Sequence, residues 1–102
     1  MIVKLACPGT LKRVLIDTLH FKGNYPDSFT LEAIHSISDD LTDDAIEWTS
    51  IIPDSKLRAH SEHYFQDELL DRETVFTHVR LSIFPDGGVS RMRVFGYPVL
   101  EE

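Results

Sequence analysis

Hydrophobic and polar residues alternate in short runs along most of this chain, and turn-forming residues separate the runs. In the clearest run, 77–95, the apolar residues Val79, Leu81 and Ile83 alternate with polar ones. A period of two residues is typical of a strand that buries one face. The same pattern predicts earlier strands over Ile2–Ala6, Lys12–His20, Phe29–Ile37 and Trp48–Ile52.

Turn signals set the spacing of these predicted strands. Pro8 and Gly9 are expected to end the first strand, and Pro53 the fourth, because proline cannot donate to a ladder. The segment 56–70 is irregular, and no long amphipathic helix is evident. Short strands at regular spacing predict an all-β protein with an antiparallel β-sandwich. We expect residues 1–102 to form a single domain.

The last two predicted strands are expected to form a hairpin. A two-residue turn at 86–87 would place Arg80 opposite Arg93 and give each strand one apolar face. Opposed arginines repel each other, at a cost of up to about 1 kcal/mol. The other face of the hairpin carries Arg80, Arg91 and Arg93.

Two interpretations of these three arginines stay open. The planar guanidinium group binds carboxylates through two parallel hydrogen bonds, so the cluster can be a binding surface for a carboxylate or a ureido group. It can equally be a solvated face that the acidic residues of the chain neutralise.

Composition and charge exclude several classes of protein. A hydrophobic content of 42% is that of a globular domain, and a formal net charge of −7 argues against nucleic-acid binding. The apolar stretch Ile2–Cys7 is interrupted by Lys4 and is too short to span a membrane. Cys7 is the only cysteine and is expected to be a small buried residue. The absence of any disulfide fits a cytoplasmic location.

Histidines and carboxylates give no strong metal signal. His60 and His63 have a spacing that metal sites use, but two histidines alone identify no ligand set. The acidic segment 38–44 lacks the spacing of a calcium loop and is interpreted as solvated. His35 and His60 are expected at the surface. The sequence therefore identifies no metal site, and the cofactor stays unknown.

Three colinear blocks of this chain resemble the allantoicase family. The run 80–96 is similar to a family signature in which Pro-Asp-Gly-Gly is followed by Arg-x-Arg, an aromatic residue and glycine. The block 16–26 resembles an Ile-Asp-Thr segment that leads into Gly-Asn-aromatic-Pro. The block 48–65 resembles a segment with Trp, a proline and Ser-x-His-aromatic-Phe. The blocks lie between residues 16 and 96 and so extend along most of the chain.

The resemblance implies a fold, a reaction and a partner. The fold is a galactose-binding-like jelly roll, here partial, because each of the family's two repeats is longer than this chain. The reaction is hydrolysis of allantoate to ureidoglycolate and urea in purine catabolism. The partner is a second allantoicase repeat or another copy of the chain.

Chemical fit to allantoate suggests roles for individual residues. Arg80, Arg91 and Arg93 would bind the substrate carboxylate, and Asn24 would hydrogen-bond a ureido group. His63 or His20 would move the proton that the departing urea needs. The alternative function is a non-catalytic jelly-roll module that binds a ligand or assembles with other chains.

Overall fold

A computed structural model describes residues 1–19, 28–37, 40–41, 46–84, 89 and 91–99. The described residues form six strands and no helix. The strands are β1 (Ile2–Asp17), β2 (Ser28–Ile34), β3 (Thr49–Lys56), β4 (Glu62–Phe65), β5 (Phe76–Phe84) and β6 (Arg91–Pro98). The prediction of an all-β protein is confirmed.

All six strands belong to one antiparallel sheet that uses β1 twice. Residues 2–4 of β1 pair with β5. On its other side β5 pairs with β2, and β2 pairs in turn with β3. Residues 9–17 of β1 pair with β6, and residues 14–17 also pair with β4 on the other edge. The long strand therefore belongs both to a half-sheet β3-β2-β5-β1 and to a half-sheet β6-β1-β4.

The core lies between these two half-sheets. Phe29, Leu31 and Ala33 of β2 are fully buried, as the period-two pattern predicts. The ring of Phe29 meets that of Phe65 on β4 edge to face, with centroids 5.0 Å apart, so the two halves contact each other directly. The same core contains Val14, Ile16, Ile51, Ile52, Phe76, Val79 and Leu81.

The predicted hairpin between the last two strands is wrong. β5 pairs with β1 and β2, whereas β6 pairs with β1, so Arg80 and Arg93 do not face each other. Instead Arg80 lies opposite Glu32 on β2. This pairing removes the repulsion between arginines and replaces it with an attraction between opposite charges. The proposed turn at 86–87 lies outside the described residues.

Four local expectations were also wrong. β1 continues through Pro8, because its ladder to β5 is interrupted between Lys4 and Gly9 and no ladder bond is lost there. β3 continues through Pro53, which an end strand tolerates. The predicted irregular segment 56–70 contains β4. Cys7, which was expected to be buried, is exposed.

Candidate functional site

Polar side chains of β6, β1 and β4 lie together on the outward face of the half-sheet that these strands form. Alternation along β1 places Arg13, Leu15 and Asp17 on this face, while Val14 and Ile16 point into the core. The pairing registers add neighbours from β4 and β6. We call the surface formed by Arg13, Asp17, Glu62, Tyr64, Arg91 and Arg93 the arginine face.

The first row of the arginine face is an ionic triad across three strands. Asp17 lies between Glu62 on β4 and Arg91 on β6. Arg91 donates from Nε to Asp17 Oδ2 at 2.8 Å, and its Nη2 lies 3.5 Å from Glu62 Oε2. The Asp17 side chain is 3% exposed and that of Arg91 is 42% exposed. A buried carboxylate thus supports a guanidinium group that solvent reaches.

The next two rows carry arginines that pair with no carboxylate of the described residues. Arg93 lies opposite the buried Leu15, is exposed, and forms no ion pair in the described part of the chain. The guanidinium of Arg13 stacks on the rings of Phe95 at 4.7 Å and Tyr64 at 5.6 Å. Its Nε atom is buried and has no hydrogen-bond partner in the part of the chain that the structure describes. On an acidic chain, these two groups leave a local excess of positive charge.

Tyr64 connects the acidic and basic parts of the face. Its hydroxyl donates to Glu62 Oε2 at 3.0 Å. This hydrogen bond, followed by desolvation and then by the negative charge of Glu62, raises the pKa of Tyr64 above its ordinary value of 10.0. The protonated phenol therefore contributes stability that is fully present below pH 10 and is lost as the pH rises through the raised pKa.

We expect Glu62→Gln to lower the pKa of Tyr64 toward 10.0, because the substitution replaces the carboxylate that accepts the phenol's hydrogen bond and removes its negative charge. Resolved NMR titration of the tyrosine Cζ resonances measures this value. Glu47→Gln, which changes an exposed glutamate outside the face, is the matched control. An unchanged Tyr64 titration in the Glu62 variant would show that the pair does not exist in solution.

The three predicted arginines do not form one cluster. Arg91 and Arg93 lie on the same face of β6, at the carboxyl end of β1, whereas Arg80 pairs with Ile2 at the opposite end. Arg80 donates from Nη2 to Glu32 Oε1 at 2.9 Å and stacks 4.5 Å above the ring of Trp48. Its predicted role in substrate binding stays a prediction.

His63 lies on the opposite face of β4 from the arginine face. Its side chain is buried, and both ring nitrogens bind the backbone. The Arg58 amide donates to Nε2 at 2.9 Å, so Nδ1 carries the proton and donates to the Ile16 carbonyl at 3.0 Å. Through these two hydrogen bonds, the His63 side chain links the backbone of Arg58 to the backbone of β1. Its catalytic role stays a prediction.

Other predicted site residues have separate outcomes. His20 and Asn24 lie outside the described residues. His35 and His60 are exposed, as expected. Within the described ranges, no three His, Cys, Asp or Glu side chains are grouped as a metal ion would require. No helix in those ranges is long and apolar enough to cross a membrane.

Sequence reasoning missed four members of the arginine face. Asp17, Glu62, Tyr64 and Arg13 were not among the predicted site residues. The alternation along β1 already placed Arg13 and Asp17 on one face, and that signal was available in the sequence. The contribution of β4 was not, because the sequence pattern did not identify that strand.

Comparison with known proteins decides the family. The family model described as the Allantoicase repeat matches residues 1–99. The chain belongs to the allantoicase family. It is 52% identical to the allantoicase of Dictyostelium discoideum over 94 residues, and 50% identical to a probable allantoicase of Stutzerimonas stutzeri over 101 residues.

Solved allantoicase structures share this fold. The crystal structure of allantoicase from Saccharomyces cerevisiae superposes with a TM-score of 0.77 at 30% identity and covers 94% of this chain. This similarity confirms the predicted partial jelly roll. The chain spans 26% of the Dictyostelium allantoicase and 30% of the Stutzerimonas protein. It therefore corresponds to one repeat within longer relatives.

Proposed function

We propose that this chain is an allantoicase repeat whose arginine face binds allantoate and contributes to its hydrolysis. The single observation that carries the proposal is the pairing pattern of β6: Arg91 is anchored by a buried carboxylate, and Arg93 beside it has no carboxylate partner among the residues that the structure describes. Guanidinium groups in this state suit a small organic anion. Family membership supports allantoate as that anion.

The proposed reaction uses one water molecule. The bond between the central carbon of allantoate and one ureido nitrogen breaks, the nitrogen gains a proton, and the carbon gains the hydroxyl of water. The products are ureidoglycolate and urea. None of the described histidines belongs to the arginine face. The proton-transfer role is proposed for His20, which follows Leu19 in the sequence, or for His63, because histidine is the usual proton carrier near neutral pH.

We further propose that activity requires association with a second allantoicase repeat or with another copy of the chain, and that the protein works in the cytoplasm. Support for the first point is the length of the relatives, of which this chain covers less than a third. Support for the second is the single cysteine, which allows no internal disulfide.

Urea release from allantoate tests the proposed function. The assay uses the chain alone, a Dictyostelium allantoicase from which the matching segment is deleted, and the two together. We expect urea when both are present, because each supplies what the other lacks. Absence of urea from the mixture, with both proteins folded and associated, would contradict the proposal and favour a non-catalytic assembly module.

A further inference from the structure

Asp17 holds Arg91 in a fixed orientation. Its two carboxylate oxygens accept different donors: Oδ2 accepts from Arg91 Nε at 2.8 Å, and Oδ1 accepts from the Leu19 amide at 2.8 Å. The side chain is 3% exposed, so water competes little for either bond. Asp17 is therefore a support for the guanidinium and is too enclosed to meet a ligand itself.

The Nη2 atom of Arg91 has a weaker partner than its Nε atom has. Glu62 Oε2 lies 3.5 Å from Nη2, which is longer than an ordinary charged hydrogen bond. The Glu62 side chain is 39% exposed, and its Oε2 also accepts the hydroxyl of Tyr64. An exposed ion pair of this length contributes little, so another carboxylate can replace it.

We infer that Asp17 is a positioning residue that presents Arg91 to the carboxylate of a ligand, and that Glu62 occupies the place of that carboxylate until the ligand displaces it. The inference deepens the proposed function and rests on it, because the carboxylate in question is that of the substrate. It assigns opposite effects to two acidic residues of the same row. Asp17 strengthens anion binding, and Glu62 weakens it.

N-carbamoylglycine and its uncharged amide are suitable probes for this inference. Both carry one ureido group, and only the acid carries a carboxylate. Binding is followed by NMR through the Nε–H resonance of Arg91 in the full 102-residue chain. We expect the chain to bind the acid more tightly than the amide. Equal affinity for the two probes would overturn the inference.

Asp17→Asn tests the positioning role. Asparagine offers one oxygen and one NH2 group, so it cannot accept hydrogen bonds from both Arg91 and Leu19. One of these two N–H donors would then face the NH2 group of the asparagine, which is also a donor. We expect affinity for the acid to fall about tenfold or more, and affinity for the amide to stay unchanged. A purely structural role would weaken both probes equally or neither, and either result would overturn the inference.

Glu62→Gln tests the competing role and needs no change at Asp17. We expect the acid to bind about two- to fivefold more tightly, since an exposed ion pair no longer competes. Glu32→Gln, which breaks the ion pair of Arg80 elsewhere in the sheet, is the matched control and should leave the affinity unchanged. Weaker or unchanged binding in the Glu62 variant would overturn the inference. Because urea is not measured, failure here is distinct from failure of the proposed reaction.

Discussion

Phe29→Ala is expected to lower the free energy of unfolding by about 3–5 kcal/mol. Phe29 is fully buried on β2, and its ring contacts Phe65 on β4 across the core. The truncation leaves a cavity at the point where the two half-sheets meet. For a domain of this size the loss is a large fraction of total stability, which is typically about 5–15 kcal/mol. Urea denaturation measures it.

Phe84→Ala is the matched control for this prediction. Phe84 ends β5 and is 49% exposed, so the same truncation removes much less buried surface. We expect its effect to be within about 1 kcal/mol of the unsubstituted chain. Similar losses from the two variants would contradict a core packed between two half-sheets that share β1.

The second large effect is expected on ligand binding. Arg93→Ala should weaken binding of allantoate about 10- to 100-fold, because it removes a charged hydrogen-bonding group that has no carboxylate partner in the described ranges. Arg93→Lys should recover only part of the loss, since lysine keeps the charge and lacks the planar pair of donors. Isothermal titration of the folded variants with allantoate measures both affinities.

Arg72→Ala is the control for this second prediction. Arg72 is an exposed arginine outside the strands, so its removal changes the net charge by the same amount as Arg93→Ala. We expect it to leave the affinity for allantoate nearly unchanged. Equal losses in the two variants would mean that binding depends only on overall charge, and would contradict a site on the arginine face.

The period of hydrophobic residues was enough to predict which side of β2 and of β5 is buried. Phe29 and Leu31 on β2, and Val79 and Leu81 on β5, all point inward as the alternation requires. Strand partners could not be predicted in the same way. Local turn chemistry favoured pairing of β5 with β6, but β1 is long enough to pair with both strands at different points. Long-range pairing overrode the local signal.

The candidate site was predicted in part for the same reason. Arg91 and Arg93 share a face because both lie on β6, and the alternation within one strand is a local property. Arg80 was assigned to the same cluster only through the incorrect hairpin. Asp17 and Glu62 reach the site through pairing between strands distant in sequence, and no local pattern shows such a contact.

The Nε–H resonances of Arg80, Arg91 and Arg93 during a titration with allantoate test the central claim most directly. The arginine face predicts saturable shifts at Arg91 and Arg93 with a common dissociation constant. It also predicts that Arg80, bound to Glu32 at the other end of β1, does not follow the same curve. Saturation at Arg80, with Arg91 and Arg93 unshifted, would contradict the claim.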